Sequence, residues 1–160
     1  GHIENAVNAI GLTYETYGWQ NIYIDVTIDA FDGTICHEIW HAIEGVLLTR
    51  NWDAIDQEEW AACNPAGFSY NEDAETPDSN PERWTFFYEF SAQDVYFVDA
   101  YSRTNAKEDR ARILECAMTE GNAGLFQSPV MREKLACVCR AIREAYGLKG
   151  ESYRWEQYLK

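Results

Sequence analysis

The spacing of apolar residues predicts a small sheet and a set of amphipathic helices. Over residues 21–29, aliphatic side chains alternate with polar ones, which is the pattern of a half-buried strand. Apolar residues recur instead at helical spacing over 34–50, 105–119 and 128–146, and a shorter helix is expected over 3–10. A strand followed by several helices indicates a domain of the α+β class.

Residues at the expected helix ends agree with this division. Asp32 or Thr34 can cap the first long helix, because short polar side chains accept hydrogen bonds from the free N–H groups there. Ser128 can cap the last helix, Pro129 suits its first position, and Gly147 suits its end. This last helix is clearly amphipathic, and its apolar face is expected to consist of Val130, Met131, Leu135, Val138, Ile142 and Tyr146.

Residues 51–82 differ in composition from the rest of the chain. They contain nine acidic residues and neither Lys nor Arg. We expect a helix inside 53–63, an exposed loop over 71–83 and a strand over 84–90. If the acidic segment lines a cleft, it would favour ligands that carry Lys or Arg; the alternative is a solvated surface away from any cleft.

Composition narrows the class of protein. With 160 residues, of which 46% are hydrophobic, the chain is expected to form one domain over 1–160, and its opening Gly1-His2 fits a domain taken from a longer protein. A net charge of −14 argues against a nucleic-acid partner, and no apolar run is long enough for a membrane span. The five cysteines lack C-x-x-C spacing, so buried free thiols are expected.

The sequence HEIWH, residues 37–41, is the strongest chemical signal in the chain. Residues four apart lie above one another on a helix, so His37 and His41 present two imidazoles to one point. Zinc binds imidazole nitrogen at about 2.0 to 2.1 Å and prefers four ligands, so this pair fills half of a tetrahedral site. Glu38 projects near that point, where it can take a proton from a zinc-bound water. Two surface histidines are the alternative, but the helix is expected to bury an apolar face formed by Ile35, Cys36, Ile39, Trp40, Ile43, Val46 and Leu47.

A catalytic zinc site needs a third protein ligand, and the remaining histidine, His2, lies at the terminus. A carboxylate from elsewhere is therefore expected. Glu44 lies too far along the same helix and is expected to hydrogen-bond a ligand histidine instead. Glu108 and Asp109 lie near the start of a later helix. The residues alone leave Glu108 two roles, as a zinc ligand or as the partner of Asn105 in a capping box.

Two segments of the chain resemble a known family. HEIWH followed by YFVDAYSRTNAKED is similar to the catalytic domain of the lethal-factor-like zinc peptidases, a gluzincin branch, and the resemblance covers roughly residues 34–118. It implies a zincin-like domain with a small sheet, an active-site helix, a second ligand-bearing helix and the C-terminal amphipathic helix. It also implies roles for individual residues: Zn²⁺ bound by His37, His41 and Glu108, Glu38 as general base, and Tyr101 as donor to the transition state.

The residues around these ligands agree with the family only in part. Glu44, Asn105 and Asp109 are expected to support the ligands through hydrogen bonds. Arg112, however, stands where relatives carry a second carboxylate one turn after the ligand. This difference puts the support of the ligands, and the catalytic strength of the site, in question.

These features predict a zinc-dependent endopeptidase that acts on peptide or protein substrates and is secreted or held at a bacterial cell surface. The alternative is a non-catalytic zinc-binding module with a zincin fold, used as a surface or interaction domain. Arg112 and the small size of the chain favour the module. Glu38 and Tyr101 favour the enzyme, because a structural zinc site needs neither residue.

Overall fold

The structure of the protein is a computed structural model that describes residues 9–51, 53–70 and 95–159. Its N-terminal part is a β-hairpin, in which β1 (Gly11–Thr16) pairs antiparallel with β2 (Trp19–Ile24). Tyr17 and Gly18 connect the strands with φ angles of 51° and 81°, and a turn with two positive φ angles suits the twist of a hairpin. The expected small sheet is therefore present, and it has two strands in the described part of the chain.

The strand expected over 21–29 begins earlier and ends sooner. It ends at Ile24, because the side chain of Asp25 accepts hydrogen bonds from the backbone N–H of Thr27 at 2.9 Å and from its hydroxyl at 2.7 Å. Such local bonds compete with strand pairing. Val26 is 64% exposed, so the apolar alternation does not continue onto the sheet. The sequence pattern also did not predict β1.

Four α-helices follow the hairpin among the described residues. Their bounds are α1 Phe31–Arg50, α2 Gln57–Ala62, α3 Ala106–Met118 and α4 Pro129–Tyr146. The three long helices predicted from periodicity are confirmed, and α2 falls inside the segment where a helix was expected. Single turns of 3-10 helix lie at Tyr101–Arg103, Leu125–Gln127 and Arg154–Glu156.

The helix ends agree with prediction for α4 but not for α1. Ser128 accepts from the N–H of Met131 at 3.4 Å, and Gly147 ends α4 in a left-handed conformation with φ of 62°. The start of α1 has no side-chain cap, because the helix begins one residue before Asp32. Asp32 therefore lies within the first turn, where its charge favours the positive end of the helix dipole. Thr34 donates its hydroxyl back to a carbonyl, the oxygen of Ala30, at 3.0 Å.

The buried face of α1 differs from the expected one. Ile39, placed on the apolar face by its spacing, is 41% exposed. His37 and Glu38 are buried instead, because α1 packs its polar ridge against α3 and the hairpin. The buried residues of α1 are Thr34, His37, Glu38, Trp40, Glu44 and Leu47. His37 thus lies inside the fold, and His41 is half-buried at its edge.

The hydrophobic core lies around α3, which packs against both α1 and α4. Ala111, Leu114 and Ala117 of α3 are buried. Met131, Leu135 and Val138 of α4 are fully buried, whereas Tyr146, the last residue of its predicted face, is 42% exposed. A helix between two packing partners can hold side chains at fixed positions on two sides.

Several expectations fall outside the described residues. The loop over 71–83, the strand over 84–90 and most of the helix over 3–10 belong to this group, and residues 9 and 10 of the last are not helical. Among the described helices, none has the length and apolar character required to cross a bilayer. All five cysteines are free thiols: Cys36 is half-buried, and Cys63, Cys116, Cys137 and Cys139 are buried, as expected.

Candidate metal centre

The helix α1 brings His37 and His41 together, one turn apart. Their Nε2 atoms lie 3.0 Å from each other, and their rings meet edge to face with centroids 4.7 Å apart. Ring nitrogens that converge in this way point their lone pairs at a shared position. The geometry expected from the spacing of the two histidines is therefore present.

The helix α3 supplies the third group of the cluster. Asn105 caps α3 by accepting from the N–H groups of Lys107 and Glu108, each at 3.0 Å, which fixes Glu108 in the first turn. The carboxylate of Glu108 does not reach back to Asn105. Its Oε2 lies 3.0 Å from Nε2 of His37 and 3.3 Å from Nε2 of His41. Asn105 acts as the predicted cap, and Glu108 faces the histidines.

The three converging atoms fit a metal ion. They all lie within 4.8 Å of one another, and their separations are 3.0, 3.0 and 3.3 Å. In a tetrahedral zinc site with bonds of about 2.0 to 2.1 Å, neighbouring ligand atoms lie roughly 3.3 Å apart. Two imidazole nitrogens and one carboxylate oxygen are also a donor set of catalytic zinc sites, which keep a fourth position open. His37, His41 and Glu108 could therefore hold a metal ion together.

A second carboxylate of α3 lies behind His37. Oε2 of Glu115 is 3.2 Å from Nδ1 of His37, the ring nitrogen that faces away from the cluster. A carboxylate can only accept, so Nδ1 of His37 donates to Glu115; with that hydrogen in place, Nε2 is the nitrogen that could lose its proton and bind a metal ion. The same oxygen of Glu115 pairs with Arg112, whose Nε and Nη2 donate to Oδ2 of Asp99 at 3.0 and 2.7 Å. Glu115 was not predicted from the sequence, although it lies seven residues after Glu108 and hence two turns along the same face.

The electrostatics of the cluster favour a cation. Burial lowers the pKa of His37, but hydrogen bonds to Glu108 and Glu115 outweigh burial and raise that pKa to about 9. Burial raises the pKa of Glu108, yet its hydrogen bonds to His37 and His41 hold it well below the usual value. The pKa of Glu115 is lowered for the same kind of reason, by His37 and Arg112 against burial. Two ionised carboxylates thus flank one imidazole.

Glu38 follows His37 on α1, and Tyr101 lies near the ring of His37. Glu38 is buried at 6% exposure and accepts a hydrogen bond from the hydroxyl of Thr13 on β1 at 2.6 Å. The Tyr101 ring lies 6.2 Å from the His37 ring, centroid to centroid. Tyr101 begins a 3-10 turn that ends before Asn105, so it reaches the site through a separate turn and not through a continuous helix two turns long.

Glu44 and Asp109 occupy other positions than those expected. Glu44 pairs with Arg110 of α3, whose Nε donates to its carboxylate at 2.9 Å. Because Glu44 lies two turns after His37 on α1, it contacts a different part of α3 from the histidines. The expected contact to a ligand histidine belongs to Glu115 instead. Asp109 faces away from Glu108, since adjacent helical residues diverge by about 100°. It pairs with Lys134 at 2.7 Å and accepts from the hydroxyl of Tyr70 at 2.7 Å.

Comparison of the chain with protein-family models, with curated proteins and with solved structures gave no match. The assignment of a function therefore depends on the arrangement of the side chains described above.

Proposed function

We propose that this protein is a zinc-dependent endopeptidase of the gluzincin type. One observation carries the proposal: two histidines of an H-E-x-x-H helix and a glutamate from a distant helix converge on one point. The separations of their ligand atoms suit zinc, and the hydrogen bond from Nδ1 of His37 to Glu115 leaves Nε2 as the nitrogen that would bind the metal.

The arrangement around the ligands supports a zincin-like fold for the domain. The hairpin lies against α1, the helix that carries the motif, and α3 approaches α1 from another side with the third ligand. Catalytic zinc sites of this kind leave one position for water or substrate. We propose that peptide or protein substrates occupy that position, and that the excess of negative charge on the chain favours peptides with basic residues near the cut.

In the proposed reaction, one side chain transfers protons and another stabilises the developing negative charge. A zinc ion held by His37, His41 and Glu108 would supply a Lewis acid that makes water more acidic and polarises the scissile carbonyl. Glu38 takes one proton from the attacking water and gives it to the leaving amine, so that the carboxylate is restored. Tyr101 donates its phenolic hydrogen to the oxygen that develops negative charge on the carbonyl carbon.

The experiment is a cleavage assay on a broad peptide mixture, with zinc content measured in parallel. The wild-type chain should cleave, lose cleavage with a chelator and regain it when zinc is added. Glu38→Gln should keep one zinc per chain and lose turnover, whereas His41→Ala should lose both. Glu133→Gln, an exposed glutamate on α4, makes the same chemical change outside the site and should behave as wild type.

The outcomes separate the proposal from its alternative. A chain that binds zinc but cleaves no peptide would be a non-catalytic metal-binding module. Undiminished cleavage by Glu38→Gln would exclude Glu38 as the base. A cleavage profile with no preference for Lys or Arg near the cut would remove the proposed substrate preference and leave the peptidase activity intact.

A further inference from the structure

The first strand of the hairpin meets the motif helix at Glu38. The hydroxyl oxygen of Thr13 lies 2.6 Å from Oε2 of the Glu38 carboxylate and 3.0 Å from its backbone oxygen. Because a hydroxyl has one hydrogen, Thr13 donates to one of these acceptors at a time, and the shorter distance is to the carboxylate. A hydrogen bond between β1 and α1 thus ends on the side chain of this glutamate.

Gly11 lies on the same face of β1, two residues before Thr13, and leaves the space that Glu38 fills. A Cβ atom on Gly11 would lie 2.5 Å from Oε1 and 2.7 Å from Cγ of Glu38, and 2.8 Å from Cγ2 of Thr34. Real side chains do not approach so closely, so any larger residue at position 11 would move Glu38 or the strand. The carboxylate is therefore held between the backbone at Gly11 and the hydroxyl of Thr13.

The described partner of Glu38 is a neutral hydroxyl, whereas three other buried carboxylates pair with cations. Glu44 pairs with Arg110, Asp99 with Arg112 and Asp109 with Lys134. Thr13 is neutral, so its hydroxyl orients the carboxylate without adding a positive charge beside it.

We propose that Thr13 is a positioning residue that holds the general base Glu38 in its reactive orientation, with Gly11 providing the clearance. The inference rests on the proposed function, because it assumes that Glu38 takes the proton. Holding the glutamate in place matters because a buried glutamate otherwise retains several rotamers, and a general base must lie within hydrogen-bond reach of its proton. Neither residue belongs to the cluster of His37, His41 and Glu108, so the metal should stay when they are changed.

The test compares threonine variants of the holoenzyme on one fluorogenic peptide taken from the cleaved members of the mixture. Thr13→Val keeps the shape and removes the hydroxyl, Thr13→Ser keeps the hydroxyl, and Thr16→Val makes the same change at an exposed position of the same strand. Thr13→Val should lower kcat about tenfold or more, with KM within about twofold and one zinc per chain retained. Thr13→Ser and Thr16→Val should stay within about threefold of wild type.

A second change tests the same idea without removing a hydrogen bond. Gly11→Ala should lower kcat with zinc retained, because its methyl group displaces the carboxylate of Glu38. The role of Thr13 would be overturned by a Thr13→Val enzyme with wild-type kcat, or by a Thr13→Ser enzyme as slow as Thr13→Val. Either result would leave the peptidase activity supported, provided that wild type cleaves and Glu38→Gln does not. A wild-type chain that cleaves nothing would remove both.

Discussion

Arg112 and Glu115 form an ion pair one turn apart on α3, and the oxygen of Glu115 that receives Arg112 is the one that faces Nδ1 of His37. Arg112 therefore does not leave His37 without an acceptor. It binds a carboxylate one turn further along and is itself anchored by Asp99. The acceptor that faces Nδ1 of His37 is thus a carboxylate one turn beyond Arg112.

Removal of the Glu115 carboxylate should weaken zinc binding while the fold is retained. Glu115→Ala takes away the acceptor that orients His37, and such groups typically contribute about 10- to 100-fold to metal affinity. We expect the zinc Kd, measured by competition with a chromophoric chelator, to rise by that factor. Glu120→Ala, at an exposed position just beyond α3, is the matched control and should leave the Kd unchanged. A zinc Kd for Glu115→Ala equal to that of wild type would show that His37 needs no such acceptor.

Arg112→Lys tests whether the two-sided geometry of the arginine matters. Arg112 donates to Asp99 with one part of its guanidinium and pairs with Glu115 through another. Lysine offers a point charge and cannot span both carboxylates with fixed geometry. The zinc Kd should therefore rise in Arg112→Lys, though less than in Glu115→Ala. Equal affinities of Arg112→Lys and wild type would mean that charge alone suffices at this position.

A methyl group at Gly33 should displace the Glu115 carboxylate and so disturb the metal centre. A Cβ atom there would lie 2.8 Å from Oε1 of Glu115. Gly45 is the matched control, because it lies on the same helix and its Cβ would meet the flexible end of Gln20 at 2.9 Å. Both Gly→Ala changes gain about 1 kcal/mol of helix propensity. We expect only Gly33→Ala to raise the zinc Kd in a titration; equal effects of the two would point to the helix and away from Glu115.

Periodicity and capping predicted α3 and α4 because their signals are local. Asn105 and Ser128 lie within three residues of the N–H groups they cap, and Gly147 ends α4 by its own backbone conformation. The bounds of α1 were also nearly right. Its buried face was not, because His37 and Glu44 are buried by charged partners on α3 that lie far away in sequence.

The site shows the same division between local and distant information. The spacing of His37 and His41 is sufficient to bring their nitrogens together. Glu108 had two possible roles until its carboxylate was found against the histidines, while Asn105 alone formed the cap. Thr13 could not have been found from spacing, since its contact with Glu38 depends on how the hairpin packs on α1.

The ion pair of Glu44 and Arg110 should contribute to stability and not to metal binding. Both side chains are almost fully buried, with exposures of 2% and 3%, and Oε2 of Glu44 has no hydrogen-bond partner within the described residues. Arg110→Met leaves the Glu44 charge buried and unpaired, which should lower the free energy of unfolding by about 3 to 5 kcal/mol. Glu44→Met in the same chain removes the second charge and should restore most of that loss, as measured by urea unfolding.

The zinc Kd tests whether Glu44 acts on the metal centre or only pairs with Arg110. If Glu44 oriented a ligand histidine, as its position seven residues from His37 suggested, Glu44→Met would raise the zinc Kd as Glu115→Ala does. Its contact with Arg110 predicts instead that the double variant binds zinc like wild type. A double variant with restored stability but weak zinc binding would contradict this assignment.

The cysteines should react slowly with thiol reagents in the native protein. Burial raises the pKa of Cys137 and of Cys139 to about 12, and it raises the pKa of Cys63 and Cys116 as well. Since the thiolate is the reactive form, a raised pKa leaves very little of it at neutral pH, and burial also blocks the reagent. A disulfide reagent such as DTNB should therefore modify at most the half-buried Cys36 within minutes and all five thiols after unfolding in guanidinium. Fast modification of two or more native thiols, or fewer than five after unfolding, would contradict the buried free thiols of this fold.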